Sequence, residues 1–151
     1  MAFDTNRRHR QWAEGSLDCL HWRDRWDIEA RREARALQAL PERELLERIE
    51  RGSLGQYYQI WHTLGSNGTL GQAAIVLWDF LRQHPGEEYA LHRYHCAAAL
   101  FQILGMPDPD CQSELRRRVQ WDHAGEVARQ DALRELRKRI QKQLDNPGQP
   151  R

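Results

Sequence analysis

Two segments forty residues apart carry nearly the same pattern. The first is Tyr57-Tyr58-Gln59-Ile60-Trp61-His62-Thr63-Leu64-Gly65, and the second is Ala97-Ala98-Ala99-Leu100-Phe101-Gln102-Ile103-Leu104-Gly105. At this offset Ile60 aligns with Leu100, Trp61 with Phe101, and Leu64-Gly65 with Leu104-Gly105. Each segment reads as the apolar end of a helix stopped by a glycine, the residue that most readily leaves a helix in a left-handed conformation. A period near forty belongs to stacked helical pairs, in which each unit buries its apolar face only against the next. Architectures of that kind usually bind other molecules rather than transform them.

The rest of the chain follows the same helical rhythm. Trp22, Trp26, Ala30, Ala34 and Leu37 recur at helical spacing and predict a helix over about 22–39. Pro41, Glu42 and Glu44 suit the opening of a second helix, with Leu45, Leu46 and Ile49 as its buried face and Gly52 as its stop. Ser53-Leu54-Gly55-Gln56 and Thr69-Leu70-Gly71-Gln72 both have the form of a capping box, and predict the starts of the third and fourth helices. The short turn Gly65-Ser66-Asn67-Gly68 favours these two helices as antiparallel neighbours. The fourth helix, about 70–83, is apolar on most sides and is expected at the centre. A fifth follows over about 87–104, and a sixth after the turn Met106-Pro107-Asp108-Pro109-Asp110. The last, over about 126–144, carries a narrow stripe of Leu133, Leu136, Ile140 and Leu144. Alternation at period two is absent. The expected fold is therefore all-α, with six to seven helices as antiparallel pairs. Residues 1–20 read as an N-terminal arm that is flexible or docks, 21–145 as a single domain, and 146–151 as a disordered tail.

Residues Ile60 to Gly65 through Leu77 and Leu81, then Leu100 to Gly105 through Leu115, resemble HEAT-type and related α-solenoid repeats over roughly 53–120. The resemblance implies two antiparallel helices per unit with a glycine turn between them. It also implies a scaffold or binding surface and no catalytic residues. An irregular helical bundle is the other arrangement that the pattern allows.

Composition narrows the partners. Of 151 residues, 30% are charged and 40% hydrophobic, the balance of a folded chain rather than a disordered one. No apolar run approaches the roughly 20 residues of a membrane span, and no apolar stretch follows the basic N-terminus as in a secretory signal. The expected setting is the cytoplasm, without membrane attachment. The three cysteines, Cys19, Cys96 and Cys111, are too few and too scattered for a disulfide framework. A net charge of +1 does not favour nucleic acid. Another protein, or a second copy of the chain, is the expected partner.

Three groups of residues are candidates for sites. His92, His95 and Cys96 share one helical face at i, i+3 and i+4, a spacing that would place imidazole and thiolate ligands side by side for zinc. Paired histidines at such a spacing are more often amphipathic edge residues, so no cofactor is expected. Trp12, Trp22 and Trp26 would form an aromatic anchor for a partner if they lined one exposed strip. Arg116, Arg117 and Arg118 would track phosphates if they faced outward, but Glu114 and Asp122 interleave with them. Asp79 is a lone acid in an apolar helix and calls for a partner such as Arg82, Arg93 or a histidine. There is no phosphate loop, nucleophile elbow or carboxylate pair, so catalysis is the less favoured class.

Overall fold

The structure is a computed structural model that describes residues 24–108, 113–120 and 125–147. The N-terminal arm expected over 1–20 lies outside those residues. Within them the chain is all-α, as the sequence pattern requires. A helix over 24–38 (α1) is followed by α2 (Glu42–Glu50), α3 (Gln59–Asn67), α4 (Ala73–Gln83), a 3₁₀ turn (Glu87–Tyr89), α5 (Ala90–Ile103), α6 (Glu114–Gln120) and α7 (Glu126–Asp145).

The hub is α5. It packs on α3, α4 and α6, and Cys96, Ala97, Ala99, Leu100, Phe101 and Ile103 are all buried. Its small residues let neighbours approach closely. A Cβ added at Gly65 of α3 would lie 3.2 Å from the Ala99 Cα and 2.9 Å from the Gln102 side-chain oxygen. Gly65 thus serves a helix crossing and lies inside α3, not at its end. Gly105 has the other role. Its φ of 70° lets its N–H bond the Gln102 carbonyl while the Met106 N–H bonds the Phe101 carbonyl, which closes α5 in a Schellman motif. The two glycines of the repeat are equivalent in sequence but do different work.

Contacts along α3 and its flanks rise together with those along α5. Tyr58 meets His92 and His95, His62 meets His95, Gly65 meets Ala99, and Gly68 faces Ile103. α3 and α5 therefore run parallel, about 35 positions out of step rather than forty. The expected close pairing of α3 with α4 does not occur, because α5 packs extensively on both of them while they share few contacts with each other. Sequential neighbours pack as α2–α3, α4–α5, α5–α6 and α6–α7, and alternate helices also stack, α2 on α4 and α3 on α5. α4 carries α7 on another side: Trp78 donates its indole N–H to the Leu133 carbonyl at 2.8 Å, and Arg129 donates to the Leu81 carbonyl.

Neither predicted capping box forms. α3 begins at Gln59, and the amides that lead into it are held by α1: the Glu33 carboxylate accepts from the N–H groups of Gln56 (2.9 Å), Tyr57 (3.0 Å) and Gln59 (3.4 Å). Glu42, at the start of α2, accepts from the Thr69 N–H at 2.7 Å and from its hydroxyl at 2.9 Å. Thr69 in turn accepts from the Ala73 N–H through its backbone carbonyl, not its hydroxyl. A carboxylate from a distant helix supplies at each place what the local Ser or Thr was expected to supply. It also brings negative charge to the positive end of the helix dipole.

Helix C-termini are treated in the complementary way, by buried arginines. Arg93 is 1% exposed and donates to the carbonyls of His84 (2.9 Å) and Gly86, just past α4, and of Gln120 (3.2 Å), the last residue of α6. Arg116 donates to the Asp108 carbonyl and to the Gln120 side chain. Replacing Glu33 by Ala removes the acceptor for three amides and is expected to lower the unfolding free energy by about 1–2 kcal/mol, the range of a lost helix cap. Urea denaturation of E33A beside the parent chain measures this.

Candidate functional site

Two regions of the surface hold most of the chemistry. The first is the seam between α3 and α5. Tyr58 begins it in a left-handed conformation (φ 60°), which for a side chain of this size costs about 1–2 kcal/mol. Its ring stacks on His95 at 4.6 Å and tilts against His92 at 4.9 Å. His62 and Tyr94 each meet His95 edge-on at 5.1 Å. Below them the fully buried Trp61 packs on Phe80 and donates its indole N–H to His92 Nδ1 at 3.1 Å. His84 stacks on Phe80 and meets Tyr89 edge-on. Burial first, and then the neighbouring His84, hold the His92 pKa below the usual value for histidine. Burial first, then His62, His92 and Arg116, push His95 down to about 4. Both imidazoles are thus neutral near pH 7.

The candidate zinc ligands His92, His95 and Cys96 do not come together. The Cys96 thiol is fully buried and donates to the Leu77 carbonyl at 3.3 Å, away from both histidines, and burial pushes its pKa well up. Its position on the helix fits the predicted spacing, but its face is the core side of α5. Among the described residues no cluster of three or more His, Cys, Asp or Glu side chains is placed to hold a metal ion.

The second region is a groove of about 850 Å³ at one end of the bundle. Three separate turns build it: Leu70 from the α3–α4 connection, Leu104 and Met106 from the end of α5, and Leu144 from the last turn of α7. Arg139 and Lys142 of α7 line it as well, and no acidic residue does. Arg139 is tethered to Glu135 (3.1 Å) and rests against the Met106 sulfur (3.2 Å). Gln143 holds the wall in place by donating to the Leu104 carbonyl at 2.8 Å. The groove could not be read in advance. Leu70, Leu104, Met106 and Leu144 each stand in a segment the sequence marks as a cap, a helix end, a turn or a stripe, but nothing in their spacing brings these segments together.

The other sequence candidates are dispersed. Trp12 and Trp22 lie outside the described residues. Trp26 is half-buried, edge-on to Tyr57 at 4.6 Å, beside a shallow cleft of about 180 Å³. The arginine triplet does not face outward together. Arg116 is 2% exposed, with its guanidinium 5.1 Å over the Tyr94 ring, and Arg118 pairs with Glu114. The reason is helical geometry, which turns successive residues by 100° and sends Arg116 inward where carbonyls need donors. Asp79 finds Arg82 among its three expected partners, at 2.7 Å on the surface, with Gln83 donating as well. No helix among the described residues is long and apolar enough to cross a membrane.

No protein-family model, curated protein or solved structure matches the chain. In a variant whose other two cysteines are serine, Cys96 is expected to react with a thiol reagent only as fast as the protein opens. The native-state rate should fall at least a hundredfold below that in denaturant, since the thiol is both enclosed and held protonated. Absorbance of the released chromophore follows it.

Proposed function

We propose that this protein is a small helical interaction module that holds an apolar, acidic segment of a partner protein in the groove between the α3–α4 connection, the end of α5 and the last turns of α7. The observation that carries this reading is the groove's make-up: an apolar floor of Leu70, Leu104, Met106 and Leu144 beside two cations, with no acid in the lining. A segment with one or two apolar anchors flanked by Asp or Glu complements it in shape and charge. Met106 adds a flexible side chain that adapts to different anchors. The stacking of alternate helices, α2 on α4 and α3 on α5, supports a scaffold of the helical-repeat kind, in which turns and helix ends form the binding edge. Binding to nucleic acid is not favoured, because much of the surface arginine charge is spent locally, in pairs such as Arg118–Glu114, Arg134–Asp131 and Arg139–Glu135.

Selection of random peptides on the immobilised protein is expected to enrich sequences with apolar anchors and acidic flanks. A chain with Arg139→Glu and Lys142→Glu should bind those peptides at least tenfold more weakly, as measured by fluorescence anisotropy. Peptides without acidic flanks, or equal binding by the charge-reversed chain, would refute the reading.

A further inference from the structure

The α3–α5 seam joins two helices through a hydrogen bond that exists in only one protonation state. The Trp61 indole nitrogen is a donor and nothing else, so the His92 Nδ1 that faces it must carry a lone pair. His92 is therefore the neutral tautomer with its proton on Nε2. A second proton would go to Nδ1 and set two donors against each other, with one of them on a side chain that is fully buried.

His95, one turn further on, has the same sensitivity for a different reason. Facing this pair of imidazoles are Tyr58 and His62 from α3, His84 from the end of α4, Tyr89 from the 3₁₀ turn, Tyr94 from α5 itself, and Arg116 from α6. No carboxylate forms an ion pair with either ring among the described residues. A new positive charge here meets other potential cations and a guanidinium, and nothing that would neutralise it.

We propose that the α3–α5 seam is a proton-controlled joint, in which charging His92 and His95 on acidification releases the Trp61 indole and loosens α3 from the hub helix α5. Both imidazoles hold their protons less tightly in the folded chain than in the unfolded one, whose histidines titrate near the usual 6.5. Between that value and about 4, the unfolded or opened state binds more protons than the closed state. Stability in this window therefore falls as the pH falls, and is fully present above about pH 7. Each such proton shifts the opening equilibrium by up to about tenfold per pH unit. The joint is local because the protons land on one seam: α7, held to α4 by Trp78 and Arg129, contains none of the groups involved.

Hydrogen exchange on the full-length chain at pH 7 and pH 5, corrected for the intrinsic rate, tests this. The expected result is a loss of protection in the α3 amides at least tenfold larger than that in α7, and its abolition in the chain with His92→Gln and His95→Gln. Glutamine still offers an oxygen to the Trp61 indole but does not titrate. Equal loss in α3 and α7, or a double variant that follows the parent, overturns the proposal. Should the double variant not fold, the parent chain decides by NMR. The assigned Trp61 indole N–H signal must shift with pH in step with the His92 ring, and a pH-invariant signal overturns the joint.

Discussion

A guanidinium buried inside a helical bundle must find carbonyl oxygens, and helix ends are where free carbonyls are available. Arg93 lies at that intersection. From the hub helix α5 it reaches the carbonyls that follow α4 and the last carbonyl of α6, so one side chain ties three segments together. Its charge also suits the negative end of each helix dipole. Arg129 repeats the arrangement from α7 onto the last turn of α4. Glu33 and Glu42 mirror it at the opposite polarity, with carboxylates on the amides before α3 and α4. The short helices of this chain, several of them nine residues or fewer, are too short to be stable alone. They are held at their ends by side chains from other helices as much as along their faces by packing.

That arrangement explains which parts of the fold the sequence discloses. Helix faces are visible because burial follows a 3.6-residue period: Leu45, Leu46 and Ile49 of α2 and Leu133, Leu136 and Ile140 of α7 are buried as the pattern requires. Pro41 and Gly52 bound α2 through chemistry that lies within the helix itself. The caps are hidden because they act across the fold. Ser53 and Thr69 stand where local caps belong, yet the amides are satisfied by Glu33 and Glu42 from 23 to 27 positions away. No spacing rule relates such residues. The same holds for the arginines, whose prominence in the sequence suggested an outward basic surface, and whose inward members are structural.

The candidate sites divide along the same line. His92 and His95 share a helical face as their spacing indicates, and the structure adds Tyr58, His62 and Trp61 from a helix that packs parallel to theirs. Cys96 has the right interval but points to the core, which shows how little a ligand spacing means without knowledge of which face is buried. The groove arises only when three turns meet, and its signal is tertiary throughout. The helices that carry the two copies of the forty-residue pattern pack on each other about 35 positions out of step, so that Gly65 meets Ala99, and the divergent roles of Gly65 and Gly105 mark where sequence equivalence stops being structural equivalence.

The most direct test of helix ends tied by buried side chains is the unfolding free energy of Arg93→Met. Methionine nearly matches the apolar volume of the arginine stem and offers no donor. If the guanidinium holds the ends of α4 and α6, the variant loses about 3 kcal/mol or more, since buried carbonyls lose their partners. A variant as stable as the parent, or more so, would show that packing alone holds these helices and would contradict the account.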